Sequence, residues 1–186
     1  MALKILNTSF DEVKLLVPEK HSDSRGFFSE TWNMNALKQE GINLKFVQEN
    51  HSLSHKKSTL RGLHFQKPPF AQLKLVRCGR GSFLDVFVDL RSKSKTFGSW
   101  GSKVISFENR YQLIIPEGFA HGFITLENDT EIIYKCSEFY NPSHEITLSY
   151  DDQDLKIDWG VNTDQILLSD KDNNGISLKS VSKFFN

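Results

Sequence analysis

Two short segments combine a histidine with neighbours that could support acid–base chemistry. The first is Arg61-Gly62-Leu63-His64-Phe65-Gln66, and the second is Pro116-Glu117-Gly118-Phe119-Ala120-His121-Gly122-Phe123. An unperturbed imidazole has a pKa of about 6.5, so a histidine can take up a proton near neutral pH. A histidine among phenylalanines can equally be a core residue with a satisfied hydrogen bond. Neither segment alone decides between catalysis and packing.

Other polar side chains stand where catalysis could use them. Tyr134 lies in an apolar run, and Asp172 ends the segment Leu168-Ser169-Asp170-Lys171-Asp172. Lys74 follows His64 by ten residues. Taken alone, the tyrosine is typical of a strand and the aspartate of a solvated turn. Composition and spacing by themselves therefore predict only an all-β domain with room for a polar cavity.

The elements that must position these residues are short strands. Apolar runs rich in β-branched and aromatic residues recur at intervals of roughly ten to fifteen residues, with Gly, Asn, Pro and Asp between them. The runs are 86–90, 114–115, 123–126, 132–136 and 146–150. This spacing favours a sandwich or barrel over alternating strands and helices. Leu15 to Pro18 and Phe27-Phe28 are predicted to form an N-terminal strand pair.

Helix is scarce in this pattern. Met34 to Glu40 can form two turns that end at Gly41. Another short helix is predicted after Ser169. A barrel of this kind has room for a ligand between its sheets, so inward-facing polar residues on several strands are the feature to look for.

Composition and charge narrow the class of protein. The 186 residues fit a single domain spanning 1–186, and Lys+Arg and Asp+Glu both number 23. This balance gives no support for binding nucleic acid or an anionic membrane. No stretch approaches the roughly 20 apolar residues of a membrane span, so we expect a cytoplasmic protein. Cys78 and Cys136 stand in strand-like runs, which predicts two buried thiols and no disulfide framework.

A metal or nucleotide cofactor finds little support in the sequence. The histidines form no HxH pair, and His51 and His55 lie in a serine- and lysine-containing segment that reads as a loop. Metal ligation needs two or three histidines or carboxylates that converge. No P-loop and no GxGxxG element is present. We therefore expect no metal, while a metal-dependent β-barrel stays as an alternative.

Taken in order along the chain, these motifs resemble the dTDP-4-dehydrorhamnose 3,5-epimerase family. The resemblance runs from about Phe10 to Asp172, and the RGLHFQ and PEGFAHGF strings are its most specific parts. The other matching segments are 23–28, 46–52, 71–77, 85–91, 134–135 and 168–172. It implies a cupin-like double-stranded β-helix or jelly-roll barrel with a few short helices. It also implies a homodimer whose N-terminal strands join the partner's sheet, with no metal and no organic cofactor.

The implied reaction inverts C3 and C5 of dTDP-4-dehydro-6-deoxy-D-glucose and gives dTDP-4-dehydro-L-rhamnose through an enolate. Such chemistry needs a base on one face of the sugar, an acid on the other and positive charge near the C4 oxygen. The resemblance assigns four catalytic residues: the base His64, its carboxylate partner Asp172, the acid Tyr134 and the cation Lys74.

The resemblance also implies which residues bind the substrate. Arg25, Arg61 and Lys171 are implied at the diphosphate, where arginine's fork suits phosphate oxygens. Phe27 is implied to stack on thymine. The remaining implied ligand contacts are Glu30, Gln48, Asn50, His121 and Glu145.

Three positions depart from the family pattern. Leu73 stands where a glycine often precedes the lysine, and we expect it to crowd the pocket wall. Ile146-Thr147 replaces a common Gly or Arg, and Lys95 replaces a common Pro at what we expect to be the surface. The first two leave open a C3-only or C5-only epimerase acting on another nucleotide-linked 4-keto-6-deoxy sugar. A non-catalytic sugar-nucleotide-binding cupin is a further alternative, although simple binding does not need a base and an acid on opposite faces.

Overall fold

Strands dominate the computed structural model, which describes residues 3–181 and 183–185. The strands are β1 Leu3–Asn7, β2 Lys14–Pro18, β3 His21–Asp23, β4 Gly26–Phe28, β5 Gln48–Ser54, β6 Leu60–Gln66, β7 Lys74–Arg80, β8 Ser82–Asp89, β9 Trp100–Ser106, β10 Gln112–Ile115, β11 Phe119–Thr125, β12 Thr130–Cys136 and β13 Glu145–Thr147. The helices are α1 Met34–Gln39, α2 Asp170–Asn173 and α3 Leu178–Val181, with one 3₁₀ turn at Thr163–Gln165.

Two antiparallel sheets face each other across the core. The six-stranded sheet has the order β1-β2-β10-β7-β12-β5, and the five-stranded sheet has the order β13-β6-β11-β8-β9. Strands β3 and β4 form a separate hairpin. The all-β, cupin-like jelly roll with a few short helices is confirmed. The run expected at 132–136 lies in β12, and the run expected at 86–90 lies in β8 except for its last residue. The helix expected at 34–40 is α1.

Strand β8 contributes to two hydrophobic clusters because its side chains alternate between the faces of the sheet. Phe83 and Phe87 pack in the cluster between the sheets, whereas Val86 packs in the cluster on the outer face. Because the period of a strand is two residues, Asp85 and Asp89 share the inner face with the phenylalanines. Both aspartates are 0% exposed. A charged group in such a place needs a partner, so each aspartate requires an explanation.

The outer faces of both sheets are covered by the chain itself. Helix α1 places Leu37 against Leu16 on the six-stranded sheet. The C-terminal segment places Trp159 and Val181 against the five-stranded sheet, together with Leu63 of β6. This docking of the C-terminal segment holds α2 beside β6.

Two local predictions were wrong. The segments at 15–18 and 27–28 do not pair with each other, because β2 pairs with β1 and β10 while β4 pairs with β3. The segment around His51 is strand β5 rather than a loop. β5 lies at a sheet edge, where polar side chains can stay in water, so it lacks an apolar pattern. Cys78 and Cys136 are buried and free, as predicted.

Strands β6 and β11 approach each other closely at Gly62. Gly62 has a φ of +124°, and a Cβ atom there would lie 2.5 Å from the Cα of Gly122. The register between the two strands also shifts at this place, between His121 and Phe123. Glycine is required at position 62 both by the backbone conformation and by the close approach. This contact sets the course of β6 two residues before His64.

Replacing Gly62 with alanine is expected to lower the free energy of unfolding by about 3 kcal/mol, because backbone strain and a steric clash add. Gly26→Ala is the matched control, since Gly26 has a φ of +134° but nothing within 4 Å of its added Cβ. The control is expected to lose about 1 kcal/mol from strain alone. Urea unfolding of both variants measures the difference, and equal losses would contradict a role for the contact with Gly122.

Candidate active site

His64 and Asp172 form a close pair between β6 and α2. His64 Nε2 lies 2.6 Å from Asp172 Oδ1. The same oxygen accepts a hydrogen bond from the backbone N–H of Gly62 at 3.2 Å, and Oδ2 accepts one from Ser169 Oγ at 2.7 Å. His64 is partly exposed, whereas Asp172 is buried. Three donors thus hold the carboxylate in one place.

These hydrogen bonds keep Asp172 ionised. Burial alone would raise the pKa of Asp172, but the hydrogen bonds from His64 and Ser169 outweigh burial and hold this pKa below its ordinary value. An ionised carboxylate can only accept hydrogen bonds, so Nε2 of His64 carries the hydrogen and Nδ1 is the basic nitrogen. Asp172 therefore fixes both the orientation and the tautomer of the imidazole.

A local capping motif delivers Asp172 to this position. Ser169 is the N-cap of α2, and its Oγ accepts a hydrogen bond from the backbone N–H of Asp172 at 3.2 Å. One turn of helix also directs Lys171 to Glu145 on β13, with which it forms an ion pair. The capping serine thus binds both the backbone and the carboxylate of the residue that orients His64.

Two adjoining cavities, of about 230 and 330 Å³, open beside His64. His64, Lys74, Tyr134, Tyr140 and Glu145 line both of them. Their walls also include six more of the site residues that the family resemblance implies: Gln48, Asn50, Arg61, His121, Lys171 and Asp172. The structure therefore brings together all four expected catalytic residues and most of the expected binding residues.

Lys74 and Tyr134 reach the cavities from neighbouring strands of the six-stranded sheet. Lys74 pairs in register with Cys136, and Tyr134 pairs with Val76. Burial raises the pKa of Tyr134, so its hydroxyl stays protonated at neutral pH, and it donates to no other described residue. Burial lowers the pKa of Lys74, while nearby negative charge from Glu145 acts in the opposite direction. Tyr134 and Lys74 thus place a proton donor beside a partly buried amine.

A second histidine–aspartate pair lies next to the first. His121 on β11 is directly across from His64 in the register of the sheet, and its Nε2 lies 2.9 Å from Asp85 Oδ2. Burial raises the pKa of Asp85, and its Oδ1 has no hydrogen-bond partner among the described residues. Sequence reasoning named His121 but missed Asp85. The available signal was a charged residue on the inner face of β8.

Other residues of the site were also missed. Cys136 and Tyr140 line the cavities, and Ser169 binds Asp172. Cys136 could have been found from its alternation with Tyr134 on β12. Tyr140 lies in the loop after β12, where no periodic pattern predicts the path of the chain.

Three expected binding residues lie away from these cavities. Arg25 stands on the β3–β4 hairpin, where it pairs with Asp23 at 2.5 Å and has a side chain that is 87% exposed. Phe27 packs against Phe107, with ring centroids 5.7 Å apart. Glu30 accepts a hydrogen bond from the N-cap residue of α1. None of the three lines the cavities of the same chain.

The departures from the family pattern also have defined places. Leu73 packs with Leu75 in the cluster that α1 covers on the outer face of the six-stranded sheet. It does not line the two cavities, so the expectation that it crowds the pocket wall was wrong. Thr147 lies directly across from His64 on β13. Lys95 lines a separate cavity of about 1060 Å³ beside Arg91.

Metal-binding clusters and membrane-spanning helices are both absent from the described residues. Within residues 3–181 and 183–185, no three His, Cys, Asp or Glu side chains are grouped so that they could hold a metal ion. No helix in the same ranges is long and apolar enough to cross a bilayer.

Comparison with known proteins decides the family. The profile of dTDP-4-dehydrorhamnose 3,5-epimerases matches residues 7–180. The chain belongs to the dTDP-4-dehydrorhamnose 3,5-epimerase family. A family member from Methanothermobacter thermautotrophicus is 43% identical over 177 residues, which cover 95% of each protein.

Solved structures of epimerases in this family have the same fold. The enzyme from Bacillus anthracis, with TDP and pyrophosphate bound, superposes with a TM-score of 0.91 at 43% identity, covering 95% of this chain and 99% of that one. The enzyme from Legionella pneumophila, in complex with dTDP-4-keto-L-rhamnose, gives a TM-score of 0.91 at 41% identity, covering 96% and 94%.

Asp85 and Asp89 provide a matched test of buried charge on β8. Burial would raise the pKa of Asp89, but hydrogen bonds from Arg91, Ser94 and Thr96 outweigh it and lower this pKa to about 2. Its charge therefore stabilises the fold above the unfolded-state pKa of about 3.9, and this contribution is lost as the pH falls toward 2. Asp85 has the opposite effect because its pKa is raised in the folded protein. Its ionisation therefore lowers the free energy of unfolding as the pH rises above the unfolded-state pKa of about 3.9.

At pH 7, Asp89→Asn is expected to lose about 2 kcal/mol of unfolding free energy. Asp85→Asn is expected to keep or increase this free energy, because it removes a buried charge with one unpaired oxygen. Urea unfolding at pH 7 compares the two. A loss from Asp85→Asn as large as that from Asp89→Asn would show that Asp85 serves the fold rather than the site.

Proposed function

We propose that this family member epimerises dTDP-4-dehydro-6-deoxy-D-glucose at C3 and C5 and gives dTDP-4-dehydro-L-rhamnose, with His64 as the base. The observation that carries the proposal is the oriented His64–Asp172 pair, which opens onto cavities that also hold Lys74 and Tyr134. The names of the relatives supply the substrate and the two carbons.

The first half-reaction removes a proton next to the C4 ketone. Nδ1 of His64 takes the proton, the C–H electron pair forms a carbon–carbon double bond, and the carbonyl electrons move to the C4 oxygen. Asp172 stabilises the imidazolium that results. Lys74 supplies positive charge near the enolate oxygen.

The second half-reaction returns a proton to the opposite face of the sugar. The Tyr134 hydroxyl is suited to this step because burial keeps it protonated. The enolate electrons re-form the ketone as the new C–H bond is made. The tyrosinate then regains a proton from solvent, and the His64 imidazolium releases its proton to solvent. His64 and Tyr134 treat C3 and C5 in turn if the sugar ring shifts between the steps.

Cationic side chains at the cavity wall bind the nucleotide diphosphate. Arg61 and Lys171 both line the cavity of about 330 Å³, and Arg61 is held by a hydrogen bond from its Nε to Ser54 Oγ at 3.3 Å. Charge-assisted hydrogen bonds from these groups suit phosphate oxygens. His121 and Glu145 also line this cavity, where they contact the sugar. The cytoplasmic location expected from the sequence stays a prediction.

The proposal includes a homodimer in which Arg25, Phe27 and Glu30 serve the partner's cavity. The β3–β4 hairpin is bonded to neither large sheet and exposes Phe27 and Phe28. Exposed apolar residues of this kind favour an interface. Strand β5, whose Gln48 lines the cavity, leaves an open edge beside the site. Because β1 and β2 pair within their own chain, the hairpin is the segment that we assign to the partner.

Exchange of solvent deuterium tests the reaction. Wild-type protein in D₂O is expected to place deuterium at both C3 and C5, and His64→Ala should slow this exchange at least 100-fold, a conservative order of magnitude for a general base. The matched control is His55→Ala, which removes an exposed histidine paired with Asp129.

In Tyr134→Phe, His64 can still return a deuteron to the face from which it took the proton. This variant should therefore exchange without inverting, which NMR of the sugar detects.

Other outcomes of this assay separate the alternatives. Label at C3 or C5 alone would identify a mono-epimerase. Exchange at neither carbon, with tight binding of the nucleotide sugar retained, would identify a binding protein. Loss of activity on chelation would identify a metal-dependent enzyme.

Mixed dimers test the exchanged hairpin. The double variant Arg25→Ala/Phe27→Ala and the variant His64→Ala should each be nearly inactive alone. A heterodimer of the two contains one site with an intact His64 and an intact hairpin. Random mixing should therefore restore about a quarter of wild-type activity in a symmetric dimer. No recovery, with heterodimers confirmed by native mass spectrometry, would place each hairpin in its own chain's site.

A further inference from the structure

The loop after β12 has no strand partner, yet side chains hold its backbone at four consecutive residues. Gln72 Nε2 donates to the carbonyl of Glu138 at 2.8 Å. Gln66 Nε2 donates to the carbonyl of Phe139 at 3.1 Å. Both bonds pull the start of the loop toward strands that line the cavities.

The other two contacts are made by glutamine oxygens. Gln48 Oε1 accepts from the backbone N–H of Tyr140 at 2.9 Å, and Gln66 Oε1 accepts from that of Asn141 at 2.7 Å. We name Gln48, Gln66 and Gln72 the glutamine clamp. Its members come from β5, from β6 and from the segment just before β7, so three separate parts of the fold meet at one short loop.

Gln66 is the centre of the clamp. Its side chain is 4% exposed and uses both ends of its amide, with a third hydrogen bond from Nε2 to the carbonyl of Phe70 at 2.6 Å. A buried amide costs stability unless it is paired, so an apolar residue would fill this space more simply. The hydrogen bonds from Gln66 to the loop backbone explain why an amide occupies this buried position.

The clamp presents an aromatic side chain at the mouth of the site. Tyr140 is 52% exposed although its backbone is bound, and its ring lines both cavities. Its hydroxyl donates to Glu145 Oε2 at 2.7 Å, and Glu145 is in turn paired with Lys171. The ring is therefore held at both ends, by its backbone and by its hydroxyl.

We propose that the glutamine clamp positions Tyr140 against the bound nucleotide sugar, with Gln66 as the principal positioning residue. The ligand in this statement rests on the proposed function. Tyr140 then forms a fixed wall of the cavity mouth rather than a mobile loop side chain. Because the wall touches substrate before and during reaction, losing its position weakens binding more than it slows proton transfer at His64.

Gln66→Met tests the clamp, because methionine has a similar length and lacks the amide. The variant is expected to raise KM for the nucleotide sugar about tenfold, equivalent to 1.4 kcal/mol, with kcat within about threefold of wild type. Gln112→Met is the matched control. Gln112 is 2% exposed and donates to the carbonyl of Thr31 at 3.1 Å, away from both cavities. It should leave KM unchanged.

A double-mutant cycle with Tyr140→Ala distinguishes positioning from a general loss of structure. If Gln66 acts through Tyr140, adding Gln66→Met to Tyr140→Ala should change KM no further. Additive effects in a folded double variant, or an unchanged KM for Gln66→Met alone, would overturn the proposal.

Two further measurements keep the test decisive. If Gln66→Met folds poorly, Gln72→Met removes a single bond to the same loop and should raise KM about threefold; an unchanged KM would again overturn the proposal.

Calorimetric titration with dTDP tests the role of the clamp in binding independently of the reaction. A wild-type protein that binds dTDP but does not epimerise would refute the proposed function, while weaker binding by Gln66→Met, and not by Gln112→Met, would still support the clamp.

Discussion

Asp172 carries its negative charge in a buried position, and the arrangement of the site depends on the three donors that hold it there. His64, the Gly62 backbone and Ser169 each come from a different structural requirement. The Gly62 N–H lies where β6 runs close to β11 and the register between the two strands shifts. Ser169 is available because it caps α2. The tautomer of His64, and with it the identity of the basic nitrogen, follows from this single ionised carboxylate.

The inner face of the barrel combines apolar packing with charges that lower stability. Phe83 and Phe87 flank Asp85 on β8, so the aspartate lies in a rigid and well-packed surrounding. The unpaired oxygen of Asp85 and the partly desolvated amine of Lys74 both lower the free energy of unfolding, a loss that an apolar interior would avoid. Such costs are typical of sites where polar groups must be in place before the substrate arrives. The hydrophobic clusters on both faces of the five-stranded sheet offset them.

How much could be predicted from the sequence differs among the elements for physical reasons. Strands such as β8 and β12 are buried on at least one face, so their apolar alternation is visible. The polar edge strand β5 has no such alternation, and its sequence predicts a loop. His64 and His121 were identified as candidates from their segments alone. Their roles, and the pairing of His64 with Asp172 across 108 residues, came from the resemblance to the family, because no local pattern reports a contact over such a separation. Tyr140 depends on a loop path that side-chain amides determine. The signal for Asp85 is one charged residue in an apolar run, which by itself does not distinguish a site residue from a structural one.

The capping turn at Ser169 lies in a part of the chain that is synthesised after the strands. The strands of both sheets end by Thr147, whereas the carboxylate that orients His64 follows later in the sequence, in α2. Because a chain emerges from the ribosome in sequence order, all the strands are made before the carboxylate that fixes the tautomer of His64. A chain cut just before Ser169 would therefore carry every strand, and with them His64, Lys74 and Tyr134, but not the carboxylate that orients the imidazole.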